Sequence, residues 1–197
     1  MLYRYFYWAK TCPMENSYLN SVIKQFEYYK SLGDQTFEQL TFEELQKEYA
    51  EDSNSISIMV KHIVGNMLSR WTNFLTEDGE KEWRHRDSEF EDTFQNKEDL
   101  LTYWNKGWDC LFEAIKPLTS EDLECIIYIR NQGHTVIEAI NRQLAHYSYH
   151  IGQIVFLGKL SQRHHWVSLS IPKGKSTTYN KEKFSKEKSR RHFTDDL

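Results

Sequence analysis

Chain breakers are scarce here. Three prolines and eight glycines are spread over 197 residues, whereas a sandwich or barrel needs turn residues about every ten positions. A many-turned β fold is therefore excluded. Cysteine is scarce too. Cys12, Cys110 and Cys125 are odd in number and far apart, with no C-x-x-C, so neither a thiolate zinc site nor a thioredoxin-like motif is indicated. A cytoplasmic, reducing setting is expected. No apolar run approaches the ~20 residues of a membrane span. The first thirteen residues, aromatic but interrupted by Arg4 and Lys10, do not read as a secretory signal. A phosphate-binding glycine loop and a G-x-S-x-G elbow are both missing.

Strong net charge is also lacking: the formal value is −4. It is unevenly spread, because the stretch from Lys173 to Arg191 holds eight basic residues against two acidic ones. An acidic body with a short basic end is not the charge pattern of a dedicated nucleic-acid binder. The end itself, 181–197, reads as a solvated, mobile tail.

What the chain does have is aromatic bulk and helical periodicity. Six Trp, twelve Tyr and eleven Phe can fill a helical interior. Four long helical patterns are predicted. The first carries Leu19, Val22, Ile23 and Phe26. Thr41 to Glu44 then has the form of a capping box. The second long helix runs from Ile56 through Phe74 and Leu75 and ends at Asp78-Gly79; its apolar residues surround it almost completely, so deep burial follows. The third starts near Asn96, carries Trp104, Trp108, Leu111 and Ile115, and stops at Pro117. The fourth opens on a second capping box, Thr135 to Glu138, and carries Ile140, Leu144, Tyr147, Ile151 and Ile154. Residues 80–95 lack a period and read as a long connection, a kind of segment that is often functional. Ile126 to Ile129 reads as a short extended piece. Residues 1–14 read as an N-terminal extension, with Met14 an alternative start. The expected fold is all-α: one four-helix bundle over 15–180 with a long connection between its second and third helices.

The histidines carry the chemistry. His146 and His150 are four residues apart on the fourth helix, on one face and one turn apart. Two imidazoles so placed can grip one divalent ion. Tyr147 stands where a metalloprotease helix carries its glutamate, so that mechanism is excluded. His62, on the inner side of an otherwise apolar helix, is the candidate third ligand; a core histidine bonded to a backbone carbonyl is the structural alternative. Three imidazoles with open positions make the pattern of a catalytic metal, which would acidify a bound water or thiol. Asn66 and Arg70 are candidate substrate contacts, Trp104 and Trp108 candidate pocket walls, and Arg84 and Arg86 candidate contacts to an anionic substrate or a merely solvated loop.

These stretches carry a resemblance. Val60 to Trp71, Asp78-Gly79-Glu80 with Trp83 to Asp87, Ala145 to Gln153 and Leu169 to Ser176 are similar to the DinB/YfiT-like superfamily of small bacterial metal-binding four-helix proteins. Within it the chain most resembles a Bacillus-type family of unknown function. The resemblance implies a bundle whose connections are not simply up-and-down, often dimeric, with Ni²⁺ or Zn²⁺ at His62, His146 and His150. It also implies transfer of a low-molecular-weight thiol, such as bacillithiol, to electrophiles, or a hydrolase-like activity on a small molecule. The expected function is accordingly a metal-dependent thiol transferase or hydrolase. The competing expectation is a non-enzymatic metal-binding scaffold or sensor. A homodimer is expected; a membrane or nucleic-acid partner is not.

Overall fold

Each of the five N-terminal helices is opened by a polar residue whose side chain accepts a backbone N–H of the first turn, satisfying donors that the helix itself cannot. Asn16 caps α1 (Ser17–Glu38), Thr41 caps the short α2 (Phe42–Leu45), Ser55 caps α3 (Ile56–Trp71), Asn96 caps α4 (Lys97–Ile115) and Thr135 caps α5 (Val136–Gln162). Both expected capping boxes, at Thr41 and Thr135, are complete. These elements come from a computed structural model that describes residues 16–195. The N-terminal extension 1–14, Cys12 and the alternative start at Met14 lie outside the described residues.

The chain is mostly helical, and it is not wholly so. Ile126–Ile129 (β1) and Gln132–Thr135 (β2) pair as an antiparallel hairpin. Its two-residue turn, Arg130-Asn131, takes positive φ at both positions (55° and 60°), the geometry that matches strand twist in a tight hairpin. Ile127 and Ile129 face inward from β1, while Val136 N donates to Cys125 O and joins the hairpin base to α5.

Among the long helices, α3 packs chiefly on α4 and also on α5, and α1 packs chiefly on α5 and also on α4. Successive long helices are therefore not the main packing partners, except for α3 and α4. The shared interior is aromatic: Phe26, Trp104, Trp108 and Tyr147 are fully buried and meet edge-on or tilted, with centroids 5.4–6.4 Å apart, the arrangement that the ring quadrupole favours. Trp104 Nε1 donates to Asp34 Oδ1 at 2.7 Å. Close approach demands glycine at Gly33, where an added Cβ would stand 2.6 Å from the Trp104 ring.

The second long helix ends earlier than its apolar pattern suggests. α3 stops at Trp71 because Thr72 turns extended and Asn73 takes a φ of 48°. Phe74 remains buried, but Leu75 faces solvent; a buried side chain after a helix mimics continued periodicity. The basic C-terminal stretch holds α6 (Ser176–Phe184), none of whose residues is fully buried. Beyond it, His192 meets Ser21, Phe193 packs on Tyr28 and Asp195 pairs with Lys24 on α1. Among the described residues no helix is long and apolar enough to cross a membrane.

Candidate metal centre

α3 and α5 bring three histidines together. One ring nitrogen from each of His62, His146 and His150 lies within 4.8 Å of the others. His62 is buried and the other two are half-buried. His146 Nε2 and His150 Nε2 are 3.1 Å apart. Two nitrogens bound ~2.0–2.1 Å from one zinc at a tetrahedral angle would sit roughly 3.3 Å apart, so the pair is nearly at ligating separation.

Each imidazole also has its other nitrogen engaged. His62 Nδ1 meets Glu89 Oε2 at 2.9 Å. His150 Nδ1 meets Gln153 Oε1 at 2.8 Å, and Gln153 Nε2 donates to Tyr149 Oη, which fixes the amide with its oxygen toward the ring. Gln143 Oε1 stands 3.4 Å from His146 Nδ1. Acceptors on Nδ1 put the proton there and leave Nε2 as a lone pair, which is how protein metal sites orient their histidines. Two lone pairs facing one another at 3.1 Å are relieved by a shared cation, so this donor set fits a divalent metal. Burial, followed by repulsion from His150, His62, Arg70 and Arg84, pushes His146 down to about 4. Burial also lowers His150, against the bond from Gln153. Both rings are thus neutral near pH 7, the form that ligates.

The long connection supplies the rest. Lys61 Nζ donates to Glu91 O and Ser57 bonds Asp92, so the segment is tied along α3. It carries a 3-10 turn, Asp87–Phe90, that places Glu89 inside the molecule, 5 % exposed. Arg84 grips both Glu89 oxygens, Nε to Oε1 at 2.7 Å and Nη2 to Oε2 at 2.9 Å. Burial alone would raise the Glu89 carboxyl, but bonds from His62 and Arg84 hold it below its ordinary value. Gly65, one turn after His62, leaves room for this carboxylate; a Cβ there would come within 2.8 Å of Glu89 Cδ. Arg84 also faces Glu80, which pairs with Arg70 and Arg130. The result is a charged network with alternating signs, buried at Glu89, Arg84 and Arg70 and reaching solvent at Arg130.

The other expected site residues separate into two groups. Asn66 and Arg70 line a cavity of about 260 Å³ that reaches His62 and His146. Asn66 Oδ1 accepts from Tyr147 Oη, which in turn accepts from Trp71 Nε1. Trp104 and Trp108 do not reach the histidines; both are fully buried in the aromatic interior and line neither cavity at the centre. Arg84 is a buried member of the network, with a side chain 3 % exposed, whereas Arg86 is exposed at the rim. Glu89, Gln143 and Gln153, which contact the three histidines, are residues that periodicity does not single out. A signal existed for the glutamines, since Gln143 is three residues before His146 and Gln153 three after His150, both on the ligand face of one helix.

Residues 13–175 match the model of a family described as a protein of unknown function, DUF1572. The chain belongs to that family. The matched segment contains the whole of this DUF1572 centre, including all three histidines, Glu89 and both glutamines. No curated protein and no solved structure matches the chain.

Proposed function

We propose that this DUF1572 protein is a metal-dependent enzyme working at His62, His146 and His150. The observation that carries the reading is the convergence of three imidazoles whose outer nitrogens are engaged by Glu89, Gln143 and Gln153. A purely structural site would be closed by a fourth protein ligand. Here, cavities of about 260 and 280 Å³ open beside the histidines, which favours catalysis over an inert scaffold or sensor. Nickel or zinc suits an all-imidazole set, and when bound it supplies Lewis-acid chemistry, acidifying a thiol or a water.

The preferred reaction is transfer of a low-molecular-weight, bacillithiol-like thiol to an electrophile, with hydrolysis of a small molecule next. The chain's residues then divide the work. Glu89, held by Arg84, fixes His62, and the two glutamines fix His146 and His150. Asn66 and Arg70 face a molecule in the smaller cavity. Membership of the DinB/YfiT superfamily, with its four-helix bundle, is part of this reading. It is supported by one histidine on α3, a pair on α5, and long helices whose chain order is not their packing order. A cytoplasmic homodimer completes the proposal.

The test is metal content per protomer after tag-free purification. About one equivalent is expected in the wild type and almost none in His146→Ala/His150→Ala, both with unchanged helical circular dichroism. Metal-loaded protein is then assayed against thiols paired with electrophiles and against small esters and amides. Turnover no better than that of the double variant would sink the enzymatic reading.

A further inference from the structure

Two cavities flank the histidines, and their walls differ in kind. The smaller one, about 260 Å³, has nine lining residues, five of them arginine. The other, about 280 Å³, is lined by Ile58, Met59, Phe90 and Tyr149 as well as the histidines. His62, His146 and Arg86 line both, so the metal centre stands at the junction of a cationic compartment and an apolar one.

The charges in the first compartment do not cancel. Glu80 and Glu89 are engaged by Arg70, Arg84 and Arg130. That sets two carboxylates against three guanidinium groups. Arg86 and Arg142 are exposed and have no acidic partner among the described residues. Arg70, itself 6 % exposed, keeps a buried Nε–H with no partner among the described residues. A guanidinium is a fork built for two-point contact with an oxyanion. Like-charged groups converging on one small space repel until an anion enters it. In the second compartment, Phe90 stacks on His62 with centroids 5.5 Å apart, and Tyr149 meets His150 edge-on at 5.0 Å. Those aromatic and aliphatic surfaces favour an apolar group.

We infer that the substrate of this centre is a small amphipathic anion. Its phosphate or carboxylate is held by Arg86 and Arg142 with the arginines behind them. Its apolar portion lies against Ile58, Met59, Phe90 and Tyr149, and the bond to be changed is thereby placed over the histidines. This rests on the metal-dependent reading above, and it says what that enzyme accepts rather than which reaction it performs. Since uncharged molecules lose the arginine contacts and bare anions lose the apolar ones, selectivity requires both halves together.

Isothermal titration with zinc-loaded protein at low salt tests this, using phenyl phosphate, benzoate, inorganic phosphate and phenol as probes. At least one of the first two should bind about tenfold or more tightly than both inorganic phosphate and phenol, and whichever binds tighter names the oxyanion. Arg86→Ala/Arg142→Ala removes two exposed side chains that have no acidic partner among the described residues, so folding and zinc content should hold. It should weaken the preferred probe by about tenfold to a hundredfold, the loss expected for one or two charge-assisted hydrogen bonds, and leave phenol unchanged. Tyr149→Ala should narrow the gap between phenyl phosphate and inorganic phosphate. Phenol binding as well as the anions, or an arginine variant binding like wild type, overturns the inference. The metal reading fails separately: a protein that takes up no zinc yet loses probe binding with the arginines keeps its anion site and loses its metal centre.

Discussion

Two buried regions meet along α5, and they are stabilised in opposite ways. On one side of Tyr147 lies the aromatic interior of Phe26, Trp104 and Trp108, where packing does nearly everything and a buried Trp108 Nε1–H has no partner among the described residues. On the other side lie His146 and the network running through His62, Glu89, Arg84, Glu80 and Arg70, where nearly every charge faces its opposite. A buried ion pair gains little net stability over apolar packing, because desolvation offsets the attraction. The difference teaches that the first region holds the fold together, whereas the second adds little stability and, on the function proposed above, is kept for what it positions.

The sharpest way to break that comparison is to remove one member from each side. Trp108→Ala should cost about 3–5 kcal/mol of stability, since a fully buried ring leaves a cavity that neighbours fill poorly. Protein that remains folded should still bind one metal, as Trp108 lines neither cavity. Chemical denaturation with metal analysis on the native fraction checks both halves; metal loss in folded protein would show the regions to be one. Glu89→Gln should give the converse pattern. A glutamine amide cannot accept from both Arg84 nitrogens and His62, so one donor faces a donor. Metal affinity should drop about tenfold to a hundredfold, as when partners of metal-bound histidines are lost, with a smaller fall in melting temperature. Competition against a chelator of known affinity reads the first effect.

Gly65→Ala sharpens the contrast further, because its two effects have opposite signs. Alanine is favoured over glycine inside a helix by about 1 kcal/mol. The new methyl, however, takes the space of the Glu89 carboxylate, which must retreat from His62. The helix gain is offset by loosening of the buried contacts of Glu89 with Arg84 and His62, so thermal stability should hold or fall slightly while metal affinity falls by less than in Glu89→Gln. A variant that binds metal like wild type would show that Glu89 has slack, and its contact with His62 would lose its positioning role.

The two regions also differ in how plainly they could be read from the residues. Trp104, Trp108, Ile140, Tyr147 and Ile151 recur at helical spacing, and a side chain's burial follows directly from such a pattern. The same arithmetic put His146 and His150 on one face and His62 on the inner side of its helix. Glu89 obeys no period. It reaches the centre because a 3-10 turn and Arg84 hold it there, and contacts of that kind are set by tertiary packing alone. Trp104 and Trp108 lie in the aromatic interior and line neither cavity beside the histidines, which their spacing could not show for a related reason: periodicity reports that a face is buried but not whether protein or a cavity covers it. The hairpin, too, depends on left-handed backbone at Arg130 and Asn131, for which an Arg-Asn pair is a weaker signal than Asn-Gly.

That hairpin turn provides the smallest of the expected effects. Asp78 accepts from Arg130 N and Asn131 N, both at 2.8 Å, and from Glu80 N at 2.7 Å. One carboxylate thus satisfies the strained turn and the loop after α3 together. Asp78→Ala should cost about 1 kcal/mol, which for a chain of this size is a fall of roughly 2–4 °C in melting temperature. The effect should depend on pH in a defined direction. Burial alone would raise the Asp78 carboxyl, but the backbone N–H groups of Asn131, Glu80 and Arg130 hold it below its ordinary value. A depressed folded value means that the carboxylate stabilises the protein above the unfolded value and that this contribution is lost as pH falls through the folded one. The melting-temperature gap between wild type and variant should therefore be widest near neutrality and close in acid; a gap that stays constant or widens in acid would exclude the carboxylate as its source. Arg130 sits in the same turn and lines the cationic cavity, so the variant should also bind phenyl phosphate slightly more weakly with its metal content intact. Loss of metal would instead extend the polar region's cooperativity to the hairpin, through Glu80 and its three arginines.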